Sequence, residues 1–191
     1  MADPLDPRAS GTLPPRTSGT TSPFVIEPLS ASHDRAGFKS GVDALDRYFA
    51  SQASQDIRRR VSACFVAGER GTPVVAGYYT IATSSIPLPD LAPATAKKMP
   101  RYPLVPAVRI GRLAVSQSHR GQGIGAGLLI DGIARATRAE IIAFAMVVDA
   151  KDATAVAFYN HHGFIAFASA PMTLYLPLVD AAKQFGLTAP P

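Results

Sequence analysis

The stretch Gln117-Ser118-His119-Arg120-Gly121-Gln122-Gly123-Ile124-Gly125-Ala126-Gly127 decides how this sequence folds. It follows an apolar run at 107–115. It precedes a segment in which Ile124 and Leu128 share a face, with Leu129 and Ile133 beside it. The pattern predicts strand, glycine loop and helix, the helix running to about residue 138. Closely spaced glycines at such a junction let backbone N–H groups face an anion, and the helix dipole adds to the attraction. Three phosphate-binding readings compete. A P-loop ends in Gly-Lys-Ser/Thr, which Gly125-Ala126-Gly127 lacks. A dinucleotide fingerprint fits Gly121, Gly123 and Ala126 loosely. It needs an acidic residue ending the next strand, about 20 residues on, and Glu140 instead begins that strand. The third is the spacing Arg120-x-x-Gly123-x-Gly125, a cation beside a backbone nest.

The rest of the chain falls into place around this loop. Phe24-Val25-Ile26 opens the first expected strand, β1. Ser40-Gly41-Val42-Asp43 has the [ST]-x-x-[DE] form of a helix start. Val42, Leu45, Phe49, Ala53 and Ile57 follow at helical spacing as far as Arg58-Arg59-Arg60, cations that suit a helix C-terminus. Residues 62–67 (β2) and 73–82 (β3) flank a turn at Gly68–Thr72 and read as a hairpin. Residues 84–106 hold six prolines and are expected to form a long irregular loop, of the kind that is usually functional or disordered. Strand β4 is expected at 107–115 and an almost wholly apolar β5 at 140–149. A helix at 152–162 follows, with Gly163 at its C′ position, then β6 at 164–168 and β7 at 172–178. The β4–helix–β5 step is a parallel crossover. These elements predict an α+β fold with a mixed sheet and helices on both faces.

The chain has 191 residues, which predicts one domain. Residues 1–23, rich in Pro, Ser, Thr, Gly and Asp, are expected to be a disordered tail. The domain is expected to span 24–180, with a C-terminal tail at 181–191. No stretch approaches the ~18 apolar residues of a membrane span. A signal peptide is not expected either, so no membrane association is expected and the cytoplasm is the default. The single cysteine, Cys64, excludes an internal disulfide and a cysteine-based zinc site. His161 and His162 are adjacent and do not share a helical face, so no metal site is expected. His119 borders the glycine loop as a candidate phosphate contact. Ser, His and Asp residues occur without the G-x-S-x-G elbow of a hydrolase. Tyr78 and Tyr79 sit on a strand, where only one can face a site, and core packing is expected for both. Charge is concentrated in the middle of the chain. Residues 40–120 carry eleven basic against five acidic groups, and arginine outnumbers lysine 14 to 5 overall. Arginine's planar fork suits phosphate oxygens, so a polyanionic partner is expected.

Arg120-x-x-Gly123-x-Gly125, preceded by Arg112-Leu113-Ala114-Val115 and followed by Ala155-x-x-Phe158-Tyr159-x-x-x-Gly163-Phe164, resembles the GNAT superfamily of acetyl-CoA-dependent N-acetyltransferases. The resemblance covers residues 24–178. Within the superfamily, three segments are similar to the acetyltransferase toxins of type II toxin–antitoxin systems. They are the N-terminal helix Phe38–Phe49, the run Pro103–Val115 and Val148-Asp149-Ala150. The resemblance implies the GNAT fold, a mostly antiparallel sheet splayed at the parallel β4–β5 pair. It implies acetyl-CoA held by Leu113, Ala114, Val115, Arg120, Gly121, Gln122, Gly123, Ile124, Gly125 and Ala126, with Tyr159 as general acid. It further implies acetylation of the α-amino group of aminoacyl-tRNA, which blocks translation. A ribbon-helix-helix antitoxin and a homodimer are implied as well. Lys97, Lys98, Arg101, Arg109 and Arg112 are the candidate tRNA contacts. Arg109 and Arg112 lie three apart on a strand and are expected on opposite faces. Asp152 stands where many superfamily members carry Asn, which leaves its coenzyme contact open. A protein or small-molecule amine is the alternative acceptor, and a non-catalytic RNA-binding module is the alternative from another class.

Group properties agree with that chemistry. Proton transfer from a phenol of pKa about 10 to a thiolate of conjugate pKa about 8.5 is uphill by only about 2 kcal/mol. An α-amine is roughly 10–20% neutral at pH 7 and a lysine amine only about 0.04%. An α-amine therefore needs no strong base, and none is evident in the sequence.

Overall fold

The computed structural model describes residues 22–187, so most of the tail expected at 1–23 lies outside the described residues. Seven strands form one sheet in the order β1-β2-β3-β4-β5-β7-β6. They are β1 Phe24–Pro28, β2 Ala63–Glu69, β3 Val75–Pro87, β4 Leu104–Val115, β5 Ala145–Asp149, β6 Ile165–Ala166 and β7 Thr173–Pro177. β4–β5 is parallel and the other pairs are antiparallel.

Strand alternation sends Tyr79, Ile110, Met146, Val148 and Leu174 to one face. There they form the main core with Leu128, Leu129 and Ile133 of α4 (Ile124–Thr137), Tyr159 of α5 (Ala153–His161) and Ala181 of α6 (Leu178–Phe185). On the other face, Val66, Tyr78 and Ala114 pack beneath α1 (Asp43–Arg47), a π-helical turn at Tyr48–Gln52 and α2 (Ala53–Arg58). Phe49 stacks on Tyr78 with centroids 4.3 Å apart, and Phe38 meets both rings edge-on. A separate cluster on this face, including Ile86, Val105, Ala107, Val147 and Tyr175, lies beneath the proline-rich segment and its short helix α3 (Pro93–Ala96).

Several expectations change. The hairpin strand β3 extends to Pro87 and β4 starts at Leu104, so the proline-rich loop is shorter than 84–106. Pro106 is compatible with β4 because its carbonyl accepts the Phe144 N–H. Its missing donor therefore faces β5 and removes no bond to β3. β5 starts at Ala145 rather than 140, and Ile141 and Ile142 stand 83% and 85% exposed. An apolar run does not reveal where its pairing partner begins. Residues 181–187 are not a free tail, since α6 runs to Phe185 and buries Ala181 against the core. The helix start is also displaced. Ser40 does not cap Asp43; its N–H and hydroxyl both donate to the Asp46 carboxylate, and Val42 is the N-cap. α2 ends with Arg60 in the left-handed region at φ 58°, with Val61 N–H bonded to the Asp56 carbonyl. Glycine is the usual residue there.

β4 carries one residue more than β3 can pair. Thr80 faces Arg112 and Ile81 faces Ile110, leaving Gly111 as a bulge. The extra residue reverses the alternation, so Arg109 and Arg112 project from the same face rather than from opposite faces.

Candidate active site

β4 and β5 pair only from Ala107↔Ala145 to Ile110↔Val148. Beyond that point β4 stays paired with β3 as far as Gly77↔Val115, while β5 ends at Asp149 and turns into α5. The edge of Gly111–Val115 facing β5 therefore has no strand partner. A cavity of about 740 Å³ fills this fork, within the usual size range of small-molecule sites. Arg112, Leu113, Val115, Arg120, Gly121 and Gly125 line one side, and Asp149, Asp152, Phe158 and Tyr159 the other.

Tyr159 is fixed by the way α5 ends. Gly163, at φ 88°, donates to the Asn160 carbonyl, and Phe164 N–H donates to the Tyr159 carbonyl. This Schellman closure folds the Phe164 ring onto Tyr159, with centroids 5.5 Å apart. Phe158 contacts Tyr159 on the other side at 5.3 Å. The Phe-Tyr-x-x-x-Gly-Phe spacing is thus a device that orients one phenol. That phenol is buried and borders the cavity. Burial, with a smaller contribution from the Asp149 charge, pushes its pKa up to about 12. It therefore stays protonated through neutral pH. Asp152 caps α5 by accepting the Ala155 N–H, and this bond holds its carboxyl below the usual range.

In the loop, Gly121 and Gly123 both adopt φ 76°, and Gly123 is the N-cap of α4. The first N–H groups of α4 have no intrahelical acceptor and are available to an anion. Arg120 lines the cavity and donates to the Ser40 carbonyl, joining the loop to the start of α1. Leu113, Val115, Gly121 and Gly125 also line it. Ala114 points to the opposite face and is buried beneath α1 and α2, and Ile124 is buried in the main core. Gln122 and Gly123 border a hollow behind the loop, and Ala126 is half-buried in α4. His119 belongs to the scaffold. Its Nε2 pairs with Glu69 at 2.8 Å, and its Nδ1 meets Ser118.

The basic residues fall into two groups. Arg109 is ion-paired with Asp149. Arg112 lies over the Tyr48 ring at 3.5 Å and faces the cavity. Lys97, Lys98 and Arg101 are exposed on the proline-rich segment, which packs on the same sheet face, and they form no ion pair among the described residues. Asp149 was not among the site residues expected from sequence. Its signal was the acidic residue that ends the apolar strand. Burial pushes Cys64 up to about 12, so the thiol is unreactive at neutral pH. Tyr78 and Tyr79 are both buried, donating to the Leu45 carbonyl and to Asp131.

The acetyltransferase (GNAT) domain family matches residues 60–166. The chain belongs to the GNAT acetyltransferase family. This GNAT chain is 33% identical over 160 residues to the tRNA-acetylating toxin of Mycobacterium tuberculosis (strain ATCC 25618 / H37Rv), covering 83% of this chain and 94% of that protein. It is 30% identical over 172 residues to the probable toxin TacT of Sinorhizobium fredii (strain NBRC 101917 / NGR234), covering 85% and 95%. Among solved structures, AtaT complexed with acetyl-methionyl-tRNAfMet matches with a TM-score of 0.76 at 28% identity, over 85% of this chain and 99% of that one. AtaTR bound with acetyl-CoA matches this acetyltransferase with a TM-score of 0.74 over 86% of this chain and 99% of that one. A mutant AtaT bound to acetyl-CoA and the C-terminus of the antitoxin AtaR matches with 0.70 over 85% and 98%, and both are at 26% identity.

Proposed function

We propose that this chain is a toxin that acetylates the α-amino group of aminoacyl-tRNA with acetyl-CoA and so stops translation. One observation carries the reading: a protonated phenol, Tyr159, borders a cavity at the splayed β4–β5 pair, across from an unpaired strand edge that leads to a glycine loop. The named activity of the relatives supports the choice of acceptor.

Acetyl-CoA supplies an acetyl group activated as a thioester. In this reading Leu113 and Val115 hold the pantetheine arm through their backbone, while Ala114 turns its backbone groups to β3 and its side chain to α1 and makes no contact with it. The N–H groups of 120–126, with Arg120, hold the pyrophosphate. Tyr159 gives its proton to the leaving sulfur as the nitrogen–carbon bond forms and the carbon–sulfur bond breaks. The amine releases its surplus proton to water, and Tyr159 is reprotonated from solvent. With the phenol at about 12, complete transfer to a free thiolate is uphill by about 5 kcal/mol. That is small beside the barrier of about 16 kcal/mol implied by a turnover near 10 s⁻¹. The phenol is a competent acid when it transfers the proton as charge builds on sulfur.

The test is incubation of the purified protein with labelled acetyl-CoA and aminoacyl-tRNA, where label on the α-amine is the expected result. Label on lysine peptides or small amines, with none on aminoacyl-tRNA, would replace the acceptor. RNA binding without acetyl-CoA turnover would replace the enzyme with a binding module. The reading extends to a cytoplasmic site of action, a DNA-binding ribbon-helix-helix antitoxin and a homodimer. A KacTA–DNA complex among the similar structures, at 25% identity and a TM-score of 0.66, supports a DNA-binding complex. The exposed Ile141 and Ile142 offer apolar surface for a second copy. Light scattering of the purified chain decides between monomer and dimer.

A further inference from the structure

On the α1 side of the sheet, the apolar cover is in two pieces, one beneath α1–α2 and one beneath the proline-rich segment. Between them the alternation places mostly polar side chains: a buried Thr80, then Ala82 and Ser84 on β3, Arg109 and Arg112 on β4, Asp149 on β5 and Thr173 on β7. This strip ends at the fork, where Asp149 is the first residue beyond the last β4–β5 pair. Asp149 is held at both oxygens. Arg109 donates to Oδ2, and the Thr173 hydroxyl donates to Oδ1 at 2.9 Å. A carboxylate accepts about four hydrogen bonds, so each oxygen retains capacity. The side chain is 52% exposed and lines the same cavity as Tyr159.

We propose that Asp149 is the residue that receives the acceptor's α-amino group, accepting an N–H hydrogen bond that fixes the nitrogen at the fork. The proposal rests on the reading of aminoacyl-tRNA as acceptor. The polar strip is the route that leads to Tyr159 at the fork, whereas on the other face Tyr159 belongs to the core cluster with α4. Asp149 is the carboxylate where strip and cavity meet. Its partner Arg109 serves a second purpose. A bare carboxylate would stabilise the ammonium form, which cannot attack. With Arg109 paired to it, the local charge is nearly balanced, and Asp149 orients the amine without trapping it as a cation. This gives Arg109 a positioning role in place of a phosphate contact.

The test is steady-state kinetics of wild type, Asp149→Asn and Thr173→Val with aminoacyl-tRNA, alongside inhibition by deacylated tRNA, which lacks the amine. Asp149→Asn is expected to lower kcat/KM for aminoacyl-tRNA about ten- to hundredfold, the range for a hydrogen bond to a charged group. Acetyl-CoA affinity and inhibition by deacylated tRNA should stay at wild-type values. Thr173→Val loosens one oxygen and keeps the charge, so its loss should be smaller. A kcat/KM within threefold of wild type for Asp149→Asn, or equal weakening of deacylated tRNA, overturns the assignment. Wild-type protein that fails to acetylate aminoacyl-tRNA overturns the parent reading, and this one with it.

Discussion

Tyr159 concentrates the chemistry of this protein in one hydroxyl, and its environment sets the pH behaviour. A general acid must be protonated to act. A phenol raised to about 12 remains so to about pH 11. The rate should therefore rise through about pH 7–8 as the acceptor amine loses its proton, and show no descending limb up to about pH 9.5. Tyr159→Phe removes only the hydroxyl and keeps both aromatic contacts. It should lower kcat by at least about 10²-fold with acetyl-CoA affinity unchanged in calorimetry. Retained turnover in that variant would remove Tyr159 from the mechanism. Gly111 works at the same scale in a different way. By adding one residue to β4 it turns Arg112 onto the face that carries Arg109.

The glycine loop and α4 form the element on which donor binding depends, and its glycines are not equivalent. Gly123 has φ 76° and caps α4, so valine there strains the backbone whatever space surrounds it. Gly125 lies within α4. A Cβ there would meet Val115 at 3.6 Å, an ordinary contact, beside the cavity. Gly123→Val should lower both acetyl-CoA affinity and the melting temperature, the latter by about 2–8 °C for roughly 1–2 kcal/mol of strain. Gly125→Val should weaken acetyl-CoA with a smaller change in melting temperature. Equal affinity of both variants and wild type in calorimetry would place the donor elsewhere. α5 shows the same economy. Asp152 opens it, Gly163 closes it, and the closing motif orients Tyr159.

Across the whole molecule, the two faces of the sheet divide the work. One face carries α4, α5 and α6 and the main core, and the other leaves a polar strip flanked by basic loops. Lys97, Lys98 and Arg101 stand beside that strip and are exposed. If they contact the single-stranded acceptor end, each contributes about −0.7 to the slope of log affinity against log salt. Replacing all three with alanine should flatten the slope by about 2, weaken aminoacyl-tRNA use and leave acetyl-CoA binding untouched. An unchanged slope would put the tRNA phosphates on another surface. Phosphate contacts of this kind position the nucleic acid without reading its sequence.

The sequence by itself determined the succession of the seven strands, the helices α4 and α5, the parallel crossover and the glycine loop, because these depend on periodicity, turn residues and spacing within about ten residues of one another; α3 and α6, which read as loop and tail, did not show in it. It also determined the glycine that closes α5, since Gly163 acts on a backbone carbonyl three positions away, whereas the capping of α5 by Asp152 and the bond from Phe164 N–H to the Tyr159 carbonyl came with the structure. The tertiary structure decided what depends on register between distant strands. The start of β5 at Ala145 follows from its pairing with Ala107, which the apolar run at 140–149 does not contain. The shared face of Arg109 and Arg112 follows from a bulge visible only when β3 is laid against β4. Asp149, at the end of a strand that reads as core, becomes part of the cavity wall because β4 and β5 part just before it. Its partners Arg109 and Thr173 lie 40 and 24 residues away, beyond the reach of any local pattern.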